Sequence, residues 1–311
     1  MAAMKDGGLL VVSLLNRVLY HTQTLWLFTL SDLKTIAVPS TVFGVSNAIV
    51  APVYGISAGT DTLGIILRTP LVFLWVWANL LPFDINNQHT PSAIAEDSIN
   101  KPWRPLPQGR ITPAQAKVAI YCLYPAVQLV SIRLDGGLRQ GLALIFLGIW
   151  YNNFGGADYH PFVRNSINAM GYICFISGAM EVALGAPIPI TTSGSSLRLL
   201  QWLLILGSVI LTTVHTQDLA DQEGDALRGR RTIPLVIGDS PARYTIAIAM
   251  LFWGFVCPFM WHGSTLSRAL SLLLSSWVII RTLRFRNTTS DKKTFRIWNL
   301  WIAFLYVIPL L

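Results

Sequence analysis

The chain has 311 residues, 53% of them hydrophobic and only 12% charged, with a mean hydropathy of +0.52. A soluble domain carries roughly 25% charged residues, so this composition excludes an ordinary soluble protein and indicates an integral membrane one. The formal net charge of +8 does not imply a nucleic-acid partner, because basic residues in a membrane protein chiefly set its orientation.

Long apolar runs, rather than ten-residue alternating ones, predict an all-α membrane protein, since a lone segment in lipid must satisfy its own backbone. Residues 9–30 are apolar but interrupted by Asn16, Arg17 and His21, which suits an interfacial amphipathic helix better than a span. Residues 1–34 are therefore read as an N-terminal interfacial segment and 35–311 as one transmembrane catalytic domain. The Leu9–Leu15 run is short and no small-residue cleavage site follows it, so no cleaved signal peptide is expected. Nine spans are predicted, at roughly 35–55, 63–85, 114–132, 139–154, 165–185, 198–217, 241–261, 265–283 and 294–311. Pro39, Pro52, Pro70, Pro125 and Pro258 fall within them and are tolerated where neighbouring helices re-satisfy the backbone. Cys122, Cys174 and Cys257 all lie in apolar segments, which argues against a disulfide framework.

Nine spans put the N-terminus and the loops after spans two, four, six and eight on one side. That side holds 18 of the 23 Lys and Arg residues, so it is expected to face the cytosol. The sequon Asn287-Thr288-Thr289 then lies on the wrong face for glycosylation. Two loops on this side are long and chemically loaded.

The loop after span two, FDINNQHTPSAIAEDSINKPWRPLPQGRIT, carries Asp84, Asn86, Asn87, Gln88, Glu96, Asp97 and Asn100, then Lys101, Arg104 and Arg110. The loop after span six, QDLADQEGDALRGRR, packs Asp218, Asp221, Glu223 and Asp225 into eight positions ahead of Arg228, Arg230 and Arg231. Asp218, Asp221 and Asp225 are spaced by three and four, so a continuing helix places them on one stripe. Acids this dense repel unless a cation sits among them, and carboxylate oxygens are what Mg²⁺ accepts. The arginines could hold an anion from the other side. A solvated acidic-then-basic surface loop explains the charges of either segment, but not their shared chemistry on one face.

These two segments resemble the motifs of the UbiA superfamily of intramembrane prenyltransferases. Asp221-Gln-Glu-Gly-Asp225 matches that family's Asp-x-x-x-Asp, followed by Arg-Arg-Thr-Ile-Pro, and NKPWRPLP matches the segment after its first motif. The first motif departs. Its asparagine falls on Asn87, but its three aspartates become Gln88, Pro91 and Ala95, with Glu96 and Asp97 just beyond. This form is similar to the fungal membrane-bound terpene cyclase branch. The resemblance implies a UbiA-like bundle of about nine helices and Mg²⁺-dependent ionisation of a prenyl diphosphate, with farnesyl diphosphate as the expected substrate. It implies metal ligands among Asp218, Asp221, Asp225, Asn87, Glu96 and Asp97, and diphosphate contacts from Lys101, Arg104, Arg228 and Arg231. Asp221, Asp225, Asn87 and Lys101 are expected to be central to catalysis.

An allylic cation also needs a dry cavity with electron-rich walls. Trp75, Asn79, Pro82 and Asn86 share a helical stripe ending in the first motif. The expected cavity residues are Trp75, Asn79, Phe83, Tyr151, Asn152 and Trp202, against the competing reading that such aromatics only pack or form interface belts. Glu181 is an intramembrane acid, with a functional role or a structural partner both open. Two rivals to a cyclase remain at this stage: prenyl transfer to an aromatic or isoprenoid acceptor, and a transporter. Charges at span ends rather than midplane count against the transporter.

Overall fold

A computed structural model describes residues 2–57, 59–189 and 196–311, and every regular element among them is helical. The N-terminal segment is one helix, α1 (Ala2–Thr29). Its described side chains are exposed from Ser13 to Tyr20, and its last turns dock onto the bundle, where Trp77 Nε1 donates to Thr29 Oγ1 at 3.0 Å.

The first two predicted spans are interrupted, and the sequence shows why. The first is a π turn (Leu33–Ala37), α2 (Val38–Ile49) and a 3-10 turn (Ala51–Tyr54), with Pro39 and Pro52 near the starts of the last two. Proline lacks the N–H that would continue the preceding helix, but fits a first turn. The second is α3 (Thr62–Leu67) and α4 (Thr69–Gln88), divided where Pro70 opens α4. The next helices are α5 (Pro91–Asn100), α6 (Pro113–Arg133), α7 (Leu138–Asn153), α8 (Pro161–Leu184) and α9 (Ser196–Thr213). They are followed by α10 (Asp218–Arg228), α11 (Ile233–Ile237), α12 (Asp239–Met260), α13 (Thr265–Arg284) and α14 (Thr288–Val307). Helices α6 to α9, α12 and α13 match the predicted spans to within a few residues. Helix α14 starts six residues early because Asn287 caps it, its side chain accepting from Ser290 N at 2.9 Å. Among the described residues, four helices are long and apolar enough to cross a bilayer by length and composition, those at 161–184, 197–216, 239–260 and 265–284.

Helix α8 lies at the centre, packed on α2, α4, α7 and α9. Small residues let these helices approach: a methyl at Gly44 would lie 2.6 Å from the Ala179 backbone, the close contact that drives helix association in lipid. Trp75 is fully buried, wedged against Gly137 and Gly178 and donating to Ser131 Oγ at 2.8 Å. Glu181 takes the structural reading. It accepts from Gly137 N at 2.9 Å and Ile188 N at 3.0 Å and pairs with Arg139, tying off the helix ends there.

Both long loops are largely helical. Helix α4 runs on into the first motif and ends at Gln88, and Thr90 caps α5 by accepting from Ala93 N, with Pro91 in its first turn. Helix α10 packs directly on α5, so the two motifs face each other at one end of the bundle.

Candidate functional site

Helix α10 carries Asp218 and Asp225 buried and Asp221 half-buried, with Glu223 exposed on another face. Its orientation is held from behind. Asn100 of α5 lies tight against Gly224 and donates to the Asp221 carbonyl at 3.2 Å. Gly229, at φ +81°, ends the helix in the left-handed conformation that glycine adopts without strain. The chain therefore turns back on itself, Arg230 N reaches the Asp225 carbonyl at 2.9 Å, and the Arg230 side chain folds inward.

Each α10 carboxylate meets one cation. Arg164, at the start of α8, lies 2.8 Å from Asp218 Oδ1 and also bonds the Tyr151 hydroxyl. Lys101 Nζ is 3.4 Å from Asp221 Oδ2, and Arg230 Nη1 is 3.3 Å from Asp225 Oδ1. Arg230 also reaches Glu96 at 2.9 Å, Asn87 Oδ1 and Asp158 Oδ1 both at 3.2 Å. The second oxygens of Asp218 and Asp225 are buried without a partner. A buried carboxylate oxygen is an acceptor only, and leaving it unmade is costly. Burial pushes the Asp225 carboxyl up to about 7, against the pull of Arg164 and with Asp218 adding to the rise. These are the properties of oxygens kept for a cation. Among the described residues no three acidic, imidazole or thiol groups converge on one point. That pattern fits Mg²⁺, which usually takes one or two carboxylates and completes its shell with water and substrate phosphate.

The first-motif acids are engaged differently. Glu96 pairs with Arg228 at 3.0 Å as well as Arg230. Burial alone would raise its carboxyl, but Arg230, Arg228 and Lys101 together hold it below the usual range. Asp97 holds Arg104 by two bonds of 2.8 and 3.0 Å. Both predicted ligands thus anchor arginines, and Arg228 is spent on Glu96 rather than facing the cavity.

The cavity itself has an empty volume of about 920 Å³, its open mouth included. Asp84, Asn87, Lys101, Arg104, Arg164, Asp221 and Arg230 form its charged end, and Phe83, Tyr151, Tyr172 and Phe175 its aromatic walls. Of the expected lining residues, Phe83 and Tyr151 are on the wall. Trp75, Asn79, Asn152 and Trp202 are not. On α4 the cavity stripe is Leu80, Phe83, Asp84 and Asn87, turned from the predicted one because Trp75 fills its glycine socket and Asn79 bonds the Trp75 carbonyl at 3.0 Å. Trp202 instead meets Trp261 edge-on in a separate pocket with Arg198 and His262. Arg231 is exposed, because the reversal at Gly229 turns Arg230 inward and the next residue out. The sequence reading gave Arg164 no role beyond orientation and passed over Asp32, which lies 3.8 Å from Arg104. An arginine beside Asn165 at the head of an apolar span was the available signal.

The model of the UbiA prenyltransferase family matches residues 93–306, and the chain belongs to that family. It is 28% identical to the fumagillin beta-trans-bergamotene synthase of Aspergillus fumigatus over 96% of both chains. It is 27% identical to the somaliensene A/B synthase of Streptomyces somaliensis over 89% of this chain and 88% of that one. A polyprenyl transferase of Hericium erinaceus is 28% identical over 94% and 95%. Among solved structures, a UbiA homologue of Archaeoglobus fulgidus bound to GPP and Mg²⁺ shares the fold at 13% identity, with a TM-score of 0.59 over 90% of this chain and 99% of that one.

Proposed function

Taking membership of the UbiA family as the premise, we propose that this integral membrane protein is a Mg²⁺-dependent terpene cyclase. It ionises a prenyl diphosphate, farnesyl diphosphate in the first instance, and releases a cyclic sesquiterpene and inorganic pyrophosphate. The observation that carries this reading is one chamber with aromatic walls and a charged end that includes Asp221, Arg164 and Arg230, the last two paired with Asp218 and Asp225, whose second oxygens are buried and free. Near full-length similarity to a bergamotene synthase supports it.

Lys101, Arg104, Arg164 and Arg230 take the diphosphate oxygens; Asp218, Asp221 and Asp225, which do not converge on one point, would share Mg²⁺ as one or two carboxylates per ion, and the metal would supply charge that stabilises the leaving group. As the allylic carbon–oxygen bond breaks, both electrons leave with pyrophosphate. Phe83, Tyr151, Tyr172 and Phe175 face the resulting carbocation, each aromatic–cation contact being worth up to about 2 kcal/mol in a dry site. Apolar neighbours such as Leu144 and Leu147 keep water out, so the cation closes on its own double bonds and is quenched by proton loss. The charge bias supports a site on the cytosolic side of the membrane, and the membrane in this reading is that of the endoplasmic reticulum.

Prenyl transfer is the second reading, because a polyprenyl transferase is as similar in sequence as the synthases. One assay separates them: membranes carrying the protein are incubated with farnesyl diphosphate and Mg²⁺, with and without 4-hydroxybenzoate. A hydrocarbon formed without acceptor and abolished by EDTA is the expected result. Product that forms only with acceptor and carries the prenyl chain covalently gives the reaction to the transferases.

A further inference from the structure

A second groove adjoins the reaction cavity, and the Lys101–Asp221 ion pair lines both. Its empty volume is about 1020 Å³, mouth included, and it shares Asp32, Lys101, Gln217 and Asp221 with the cavity. Four cations line it, Lys34, Lys101, Lys292 and Arg296, against two carboxylates. Both carboxylates already have partners, Asp221 in Lys101 and Asp32 in Arg104. Lys34 donates to the Ser31 carbonyl, while Lys292 and Arg296 have no ion pair or hydrogen bond among the described residues. Lys34, Lys292 and Arg296, all exposed, thus bring three cations from two separate elements to one recess in which cations outnumber carboxylates by two, an excess that favours an anion there.

We propose that this groove is a second diphosphate site, which receives inorganic pyrophosphate as it leaves the reaction cavity. The proposal rests on the reading of the cavity as a diphosphate-ionising one. Three features favour pyrophosphate over other anions. The groove shares four lining residues with the cavity where the leaving group is set free. Among them is the partly exposed Lys101–Asp221 ion pair, so Lys101 can serve a diphosphate in either space. Lys34, Lys292 and Arg296 then offer charge-assisted hydrogen bonds to its oxygens.

The test uses the full chain in nanodiscs and the double variant Lys292→Ala/Arg296→Ala. Lys293→Ala, an exposed neighbour outside the groove, is the control. Titration with inorganic pyrophosphate and Mg²⁺ is expected to show weakening of about tenfold in the double variant, the factor that corresponds to 1.4 kcal/mol, and none in the control. The inhibition constant of added pyrophosphate should rise by the same factor, while single-turnover product formation with enzyme in excess stays within about twofold. Unchanged pyrophosphate binding overturns the proposal. So does a loss of single-turnover rate with a raised KM, which makes the groove a route for substrate. A difference between variants seen only in nanodiscs containing anionic lipid also overturns it, in favour of a headgroup site. The titration needs no turnover, so a wild-type chain that makes no product refutes the cyclase reading without deciding the groove.

Discussion

Substituting Gly171 tests where the prenyl chain lies. Gly171 shares the cavity face of α8 with Arg164, Asn168 and Phe175, midway between the charged end and the aromatic wall. At Gly44 and Gly178 a methyl would strike a neighbouring helix, as expected of glycines that let helices touch, but at Gly171 it meets nothing within 4 Å. Gly171 therefore leaves space rather than making contact. Gly171→Leu puts four carbons into that space, close to one five-carbon prenyl unit. A single methylene in an apolar pocket changes discrimination by about 1–3 kcal/mol, or roughly 10–200-fold. The variant should lose at least about 100-fold in kcat/KM on farnesyl diphosphate and less than about tenfold on the ten-carbon geranyl diphosphate. Gly171→Ala should stabilise α8 by about 1 kcal/mol through helix propensity, so a folding defect is not expected at this position. The measurement is hydrocarbon yield from the two diphosphates with purified protein. Equal losses on both substrates, or none on either, would refute the placement of the chain along α8.

Asp221→Asn and Asp225→Asn should each lower turnover by about 100-fold or more, on the scale of removing one electrostatic stabiliser, with hydrocarbon release at matched expression as the measure. Asp225→Asn should fold: burial raises the Asp225 carboxyl to about 7, so the ionised form costs stability at neutral pH and a neutral amide of the same shape removes that cost. Arg243→Met strips the buried Asp291 of its two-bond partner at 2.8 and 2.9 Å; it should cost about 3–5 kcal/mol, read as a fall in thermal midpoint that Asp291→Asn partly restores. In a cysteine-free background, which requires replacing the exposed Cys122, cysteines at Gln108 and Gly229 should both be labelled from the cytosolic side by an impermeant reagent. Labelling from opposite sides would separate the two motifs.

What could be read from the sequence divides along physical lines. The α10 stripe was legible because three carboxylates at helical spacing have few homes at a membrane surface, and the structure does place them on one helix. Most helix positions are legible from hydropathy alone. Helix α5 lies in a segment whose polarity reads as loop, although Thr90-Pro91 is an ordinary helix start and its side-chain cap forms. That Phe83 lines the cavity on α4 while Trp75 does not could not be read from one helix. Both are large aromatics within two turns, and what decides is that Gly137 and Gly178, from elsewhere in the chain, form a socket for Trp75. Arg230 and Arg231 are equally inseparable in sequence, and one left-handed residue before them sends one in and the other out.

The same comparison explains how the altered first motif leaves a working site. Where the family pattern has aspartates, this chain has Gln88, Pro91 and Ala95, none of which supplies an anionic ligand. Its two nearby acids do not replace them as free oxygens, because Glu96 is held by two arginines and Asp97 by one. Each of those contacts does place a guanidinium: Glu96 and Asn87 fix Arg230, and Asp97 fixes Arg104, with both arginines on the cavity wall. The first segment thus places cations and keeps one free carboxylate oxygen, on Asp84, while two more remain on α10. Under the proposed function, a site so divided would hold a diphosphate chiefly by positive charge from one side and by metal from the other. It should therefore bind pyrophosphate more weakly whenever Arg104 is removed, with or without Asp97, while the single change, which leaves Asp97 buried without a partner, should also lower the thermal midpoint more than the double change does.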